Sequence, residues 1–263
     1  MPIPDYIYSK LFKTMDLQNQ HSSSTDLSLV QPVEQTQVKN FMANVFAYMF
    51  MALAISALFA YLFATNLSLL QYLISSSERG LSALGYIVML APIGFVLLMS
   101  FGYSRLSAPV LILLFVVYSA ITGISFSFIL LKYTANLVLG CFLSAAAMFG
   151  IMAFMGYTTK QDLTKFGRIM MMGLIGIIVA SLINLFMGSP TMSYLISFIG
   201  VMVFTGLTAY DVQKLKNIGA GLQYANVPAT DVKKASILGA LNLYLDFINL
   251  FLFLLRLFGG RRN

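Results

Sequence analysis

Charge is what this sequence has least of. Asp, Glu, Lys and Arg make up 10% of its 263 residues, where a soluble domain carries about 25%. Tryptophan is absent, and histidine and cysteine occur once each. The single Cys141 cannot form an internal disulfide, and His21 lies in a polar N-terminal stretch. Too few ligands remain for a zinc site, and no apolar segment holds the histidine base that serine proteolysis within a membrane needs. No Walker-type phosphate loop is present. Retinal proteins need a lysine deep in a helix, and the deepest here, Lys214, stands at the end of an apolar run.

What is there instead is oil. Hydrophobic residues make up 59% of the chain, which leaves too little polar surface for a water-soluble fold and points to an integral membrane protein. The net charge of +7 does not imply nucleic acid, because the basic residues are scattered in ones, twos and threes between apolar runs.

No charge falls between Lys39 and Glu78, Arg79 and Arg105, Arg105 and Lys132, or Lys132 and Lys160. The gap from Arg168 to Asp211 holds two segments with a break at Gly188-Ser189-Pro190. A helix crosses the hydrocarbon core in about 20 residues. Seven spans fit, near Phe41–Ala64, Ala83–Phe101, Ala108–Leu131, Leu137–Gly156, Arg168–Met187, Met192–Lys214 and Ala235–Phe258. Unpaired backbone groups are costly in lipid, so each should be helical, and the short alternating strands of a β-barrel are missing. The fold class is an all-α bundle of seven transmembrane helices over residues 41–263.

The N-terminal stretch and the second, fourth and sixth loops carry 3, 1, 3 and 4 basic residues; the opposite set carries 1, 1, 0 and 3. That asymmetry predicts a cytoplasmic N-terminus. The cluster Arg256, Arg261 and Arg262 pulls the other way, and a re-entrant last segment would put both ends inside. Residues 1–40 read as a polar, disordered cytoplasmic tail, or as one carrying a short interfacial helix at Ile7, Leu11 and Met15. Small residues at Ala52, Ser56 and Ala60, and at Gly173 and Gly176, favour close helix packing. Tyr72, Tyr103 and Tyr157 are candidate interfacial anchors.

Two carboxylates break the pattern. Asp211 ends one apolar run in "FTGLTAYDVQKLKN", and Asp246 sits within another in "LGALNLYLDFINLFLFLLRLFGG". An ionisable group inside a span is expensive and points to function. Asp211, three residues before Lys214, also suits a plain helix-end ion pair reaching water. Asp246 lies 12 residues after Lys234 and 10 before Arg256, with no cation near it in sequence. If the two meet, they cannot both ionise easily and titrate as one unit, a proton-sensitive latch. Doubly ionised, they make a hard oxygen site for Ca²⁺, with Asn242, Asn249 and Thr208 as supporting oxygens. A depth count resists the pairing: Asp211 lies about 5 Å inside Lys214, and Asp246 about 18 Å beyond Lys234. They meet only if the sixth helix continues past Lys216 or the seventh begins outside the bilayer. Gly219 and Gly221 are candidate stops for that longer helix. Arg105, at the end of the second span, is a candidate gating partner for the carboxylates, although an ordinary positive-inside loop arginine explains it better. Asp162 reads as the N-cap of the fifth helix.

The segments "FTGLTAYDVQKLKN", "GYTTKQDLTKFG" and "SILGALNLYLDFINLFLFLLRLFGG" closely resemble the Bax inhibitor-1 family, also called the transmembrane Bax inhibitor motif family, in its bacterial branch. The likeness runs from about Phe41 to the C-terminus. It implies a bundle with the last helix central and six others around it, in a bacterial inner membrane. It also implies a pH-sensitive calcium leak, with no cofactor beyond Ca²⁺ as the transported ion. The family's paired-aspartate sensor would fall on Asp211 and Asp246, and its exchanging arginine on Arg105. An acidic residue found inside the second helix of a bacterial member has no counterpart between Glu78 and Asp162, which puts a second acidic lining in doubt. The charged tail of eukaryotic members is replaced by Gly259-Gly260-Arg261-Arg262-Asn263.

Two other functions compete with the leak. One is a non-conducting regulator that binds partners, since another bacterial branch restrains a membrane-bound AAA protease. The other is an intramembrane aspartyl protease, whose second motif GxGD is Leu243-Tyr244-Leu245-Asp246 here. That departure, with no Pro-Ala-Leu segment following, favours a protein that is not an enzyme.

Overall fold

The computed structural model of the protein describes residues 27–74, 80–224 and 227–259. The expectations placed on residues 1–26, on Glu78 and Arg79, and on Arg261 and Arg262 lie outside the described residues. Seven long helices carry the chain: α1 (Leu27–Thr65), α2 (Ala83–Gly102), α3 (Ala108–Lys132), α4 (Ala135–Thr158), α5 (Thr164–Met187), α6 (Pro190–Tyr224) and α7 (Ala229–Gly259). A single helical turn, Leu67–Leu70, follows α1. Each of the seven has the length and apolarity to cross a membrane. No strand ladder occurs among the described residues.

Helices α2 to α5 fall within a few residues of their expected bounds, because sharp local signals end them. Ser82 accepts the Gly85 N–H at the start of α2, Pro109 sits in the first turn of α3, and Gly188, with φ of 62°, stops α5 in the left-handed region. Three helices are longer than their apolar runs. The first starts at Leu27, so residues 27–40, read as polar tail, are helical. The sixth passes through Gly219 and Gly221 to Tyr224. Glycine within a helix costs about 1 kcal/mol relative to alanine, and tertiary packing overrides it here: a Cβ on Gly219 would lie 2.9 Å from the Phe41 ring of α1.

Helices α6 and α7 are the most buried spans and form the middle of the bundle together. The last helix packs on α1, α3, α4 and α6, while α2 rests chiefly on α3 and α5 chiefly on α6. The expected arrangement of six helices around a central seventh is therefore not what the packing gives. Aromatic edges line the contacts of α7: Tyr244 meets Phe115 and Tyr118 of α3, and Phe247 meets Phe142 and Phe149 of α4. Ala52, Ser56 and Ala60 are buried as one face of α1, where the Ser56 backbone approaches Gly123 too closely for any side chain at 123. Gly173 likewise admits Val203, whereas Gly176 faces open space. The outer surface is apolar, with Phe101, Leu185 and Phe186 among its exposed side chains. Such a belt is at home in lipid and not in water.

One end of the bundle collects the basic residues. Tyr103 lies under Lys234, the Lys216 ammonium donates to the Tyr157 carbonyl at 2.8 Å, and Phe41 packs on Gly219. These contacts bring the starts of α1, α3, α5 and α7 to the same end as the finishes of α2, α4 and α6.

Candidate functional site

The two carboxylates meet. Asp211 stands 13 residues before the end of α6 at Tyr224, and Asp246 stands 17 residues after the start of α7 at Ala229. At 1.5 Å per residue these are about 20 and 26 Å from a shared turn, so antiparallel packing sets them at nearly one depth. Both conditions that the depth count demanded are met: α6 continues past Lys216, and α7 begins before its apolar run. The carboxyl groups come within hydrogen-bonding reach of each other. A carboxyl–carboxyl hydrogen bond requires a proton between the two, since ionised carboxylates only accept.

Asp246 is 6% exposed, and its Oδ2 finds no hydrogen-bond donor among the described residues. Asp211 is more open and feels the charge of Lys214, one turn along α6. Both line an open cavity of about 600 Å³ between α5, α6 and α7. Asn242 and Asn249 of α7 and Ser181 of α5 add polar groups to its wall, and the rest is apolar. The Asn249 amide donates back to the Leu245 carbonyl at 2.8 Å, which orients that side chain. These are oxygens of the hard type that suits Ca²⁺. No cluster of three or more Asp, Glu, His or Cys forms among the described residues.

Two nominated residues stand apart. Thr208 is fully buried, but its hydroxyl donates to the Phe204 carbonyl at 2.8 Å and it is not among the residues lining the cavity. Arg105 is exposed in the turn after α2, beside Tyr103, which packs by Lys234. Lys234 precedes Asp246 by 12 residues, about 18 Å along the helix. Arg105 does not reach the carboxylates in this arrangement.

The polar residues that hold α6 in place escaped the sequence reading. Gln213 is buried and clamps the α4–α5 loop: its Oε1 accepts the Leu163 N–H at 2.8 Å, and its Nε2 donates to the Gln161 carbonyl at 2.7 Å. Lys216 neutralises one of the last carbonyls of α4, as a cation at a helix C-terminus should. Asp162 accepts the Thr164 N–H at 2.9 Å and the Thr164 hydroxyl, and those bonds, aided by Arg168 and Lys165, hold its carboxyl below the usual range. At the same end, burial pushes the Tyr103 phenol up, with the charge of Asp231 adding to it. Across α7 from Asp246, the Ser56 hydroxyl lies 2.8 Å from the Ser119 carbonyl and is hydrogen-bonded to the Tyr244 hydroxyl at 2.7 Å. Only pairing across the bundle reveals the roles of Gln213 and Lys216, because each is an ordinary polar group in its own segment.

Gln213→Leu would strip partners from one N–H and one carbonyl near the site. Each stranded group costs about 1–3 kcal/mol, so the variant should melt well below wild type in detergent, by near-ultraviolet circular dichroism. Gln213→Glu keeps the acceptor and should lose less.

A membrane-spanning bundle of seven helices with an acidic pair between its last two is the class that fold and site define. The family described as Inhibitor of apoptosis-promoting Bax1 matches residues 38–263, and the chain belongs to it. The chain is 43% identical over 235 residues to the inner membrane protein YbhL of Escherichia coli K12, covering 89% of this chain and 97% of that one. It is 41% identical over 239 residues to an uncharacterized protein of Borreliella burgdorferi, covering 90% and 99%. An uncharacterized protein of Deinococcus radiodurans is also 41% identical over 239 residues, covering 91% and 98%.

Proposed function

We propose that the protein is a pH-sensitive leak for Ca²⁺ or a similar cation, in a bacterial inner membrane, with its N-terminus in the cytoplasm. Asp211 and Asp246 serve as both latch and ion site, with Asn242 and Asn249 as supporting ligands. The observation that carries this reading is the meeting of the two carboxyl groups deep in the bundle, with Asp246 Oδ2 left without a donor. A structural carboxylate this deep would be matched to a cation or a set of N–H groups. A pair joined through a proton has two chemical states instead, shared proton or full ionisation, and only the second is a strong cation ligand. The membrane assignment draws on the name of the Escherichia coli relative. The orientation follows from the basic end of the bundle.

An aspartyl protease is the poorer reading. The glycines of its motif leave room for a peptide beside the aspartate, and that room is taken here by the side chains of Leu243, fully buried, and Leu245. Arg105 does not line the cavity and would act as gating partner only in another conformation.

The test is Ca²⁺ flux into liposomes containing purified protein, between about pH 5 and 8. Flux above that of empty liposomes and varying with pH is the expected result. Wild-type protein that conducts no more than empty liposomes at every pH would remove the leak reading.

A further inference from the structure

The cavity beside the carboxylates is the wrong size and the wrong material for a hydrated ion alone. Water occupies about 30 Å³ per molecule, so an ion with six waters fills roughly 200 Å³, and the cavity holds about 600 Å³. That is the range of small-molecule sites, which likewise pair apolar walls with a few fixed polar groups. Here Leu174, Ile178, Leu182 and Phe253 supply walls, while Asp246, Asp211, Asn242 and Asn249 supply polar groups, all from α6 or α7 except the α5 wall. Ile178, Leu182 and Leu185, which line it, are themselves exposed, so the cavity opens toward lipid along α5.

A hydrated ion gains nothing from the apolar walls. A lipid tail fills them but offers nothing to the two carboxyl groups that share the site with those walls. We propose that this cavity binds lipophilic amines: molecules with one protonated amine that donates to the carboxyl pair through Asp211, the more open of the two, and an apolar body that packs against α5. Both features of the site are then matched at once. The inference goes beyond the leak reading and does not depend on it, because it concerns occupancy of the cavity and not conduction.

The probe is radiolabelled 4-phenylbutylamine, with neutral 4-phenylbutan-1-ol as its counterpart, bound to protein in nanodiscs of zwitterionic lipid without Ca²⁺, over the background of empty nanodiscs. A hydrogen bond to a charged group is worth about 1.5–3 kcal/mol, so the amine should bind about tenfold or more tighter than the alcohol. Asp211→Asn should abolish that preference. Leu174→Trp, which fills the cavity and keeps both carboxylates, should abolish binding of either probe, and it decides the matter if Asp211→Asn does not fold. Equal binding of amine and alcohol, or amine binding unchanged in Leu174→Trp, would overturn the proposal. Binding without Ca²⁺ flux would sink the leak and leave this inference standing; flux without amine binding would do the reverse.

Discussion

Asp246→Asn is expected to flatten the pH profile of Ca²⁺ flux, Asp211→Asn to do the same, and the double variant to add nothing further. The reason is that the titrating unit is the pair. A proton shared between two carboxyl groups belongs to both, and removing either member removes the shared state. Asparagine keeps size and hydrogen-bonding capacity but has no proton to gain or lose near neutral pH, so the cavity keeps its shape. A wild-type profile spanning about tenfold should fall to less than about twofold in each variant, in keeping with ordinary coupling free energies. Independent roles would instead give two partial losses that combine. Replacing both carboxyl groups, Asp211→Leu together with Asp246→Leu, provides the complementary test. A buried polar or charged pair replaced by a well-packed hydrophobe is often neutral or stabilising by about 1–4 kcal/mol. If the pair is kept for function, this variant should melt no lower than wild type while its pH response disappears. A large drop in melting temperature would make the pair structural.

Gly156→Leu is expected to prevent assembly of the bundle. Gly156 lies on α4 against α6, and even a Cβ there would collide with the carbonyl oxygen of Ala209 and come within 2.9 Å of its Cα. The obstacle is backbone, which cannot rotate away as a side chain does. Overpacking costs about 1–3 kcal/mol where neighbours can shift; here α4 and α6 must separate as whole helices. The collision lies two residues from Asp211, so a displaced α6 would also part the carboxylates. Gly156→Ala should give folded protein of lowered stability and altered pH response. The leucine variant should appear in aggregates on size-exclusion chromatography after solubilisation. Monodisperse Gly156→Leu with a wild-type melt would show that the α4–α6 contact is not tight.

Much of this was legible in the residue order, because a bilayer imposes strong one-dimensional rules. Twenty apolar residues between charges can only be a helix, and the basic residues mark one set of loops. Gly188, Ser82 and Pro109 act on their own backbone, so the helix ends they set were readable. Asp246 announced itself for the same reason: nothing nearer than ten residues offered it a counter-charge. Where local signals conflicted with packing, the reading failed. Gly219 read as a helix stop, yet it is the point where Phe41 of α1 presses on α6. Residues 27–40 read as tail and are helical. Gln213, two places from Asp211, carries no signal in the residue order and is a buried clamp on the α4–α5 loop.

By itself the sequence determined the class of protein, the number of spans, the charge asymmetry and the two carboxylates that do not belong in oil, because each rests on hydropathy or on groups within a few residues of one another. Only the tertiary structure decided that α6 and α7 share the centre, that Asp211 and Asp246 lie at one depth, and that Arg105 and Thr208 stand outside their cavity. Those facts turn on where helices stop and which faces they press together. Helix ends and faces are set by contacts such as Phe41 on Gly219 and Gly156 on Ala209, between residues far apart in the chain, and no local pattern encodes them.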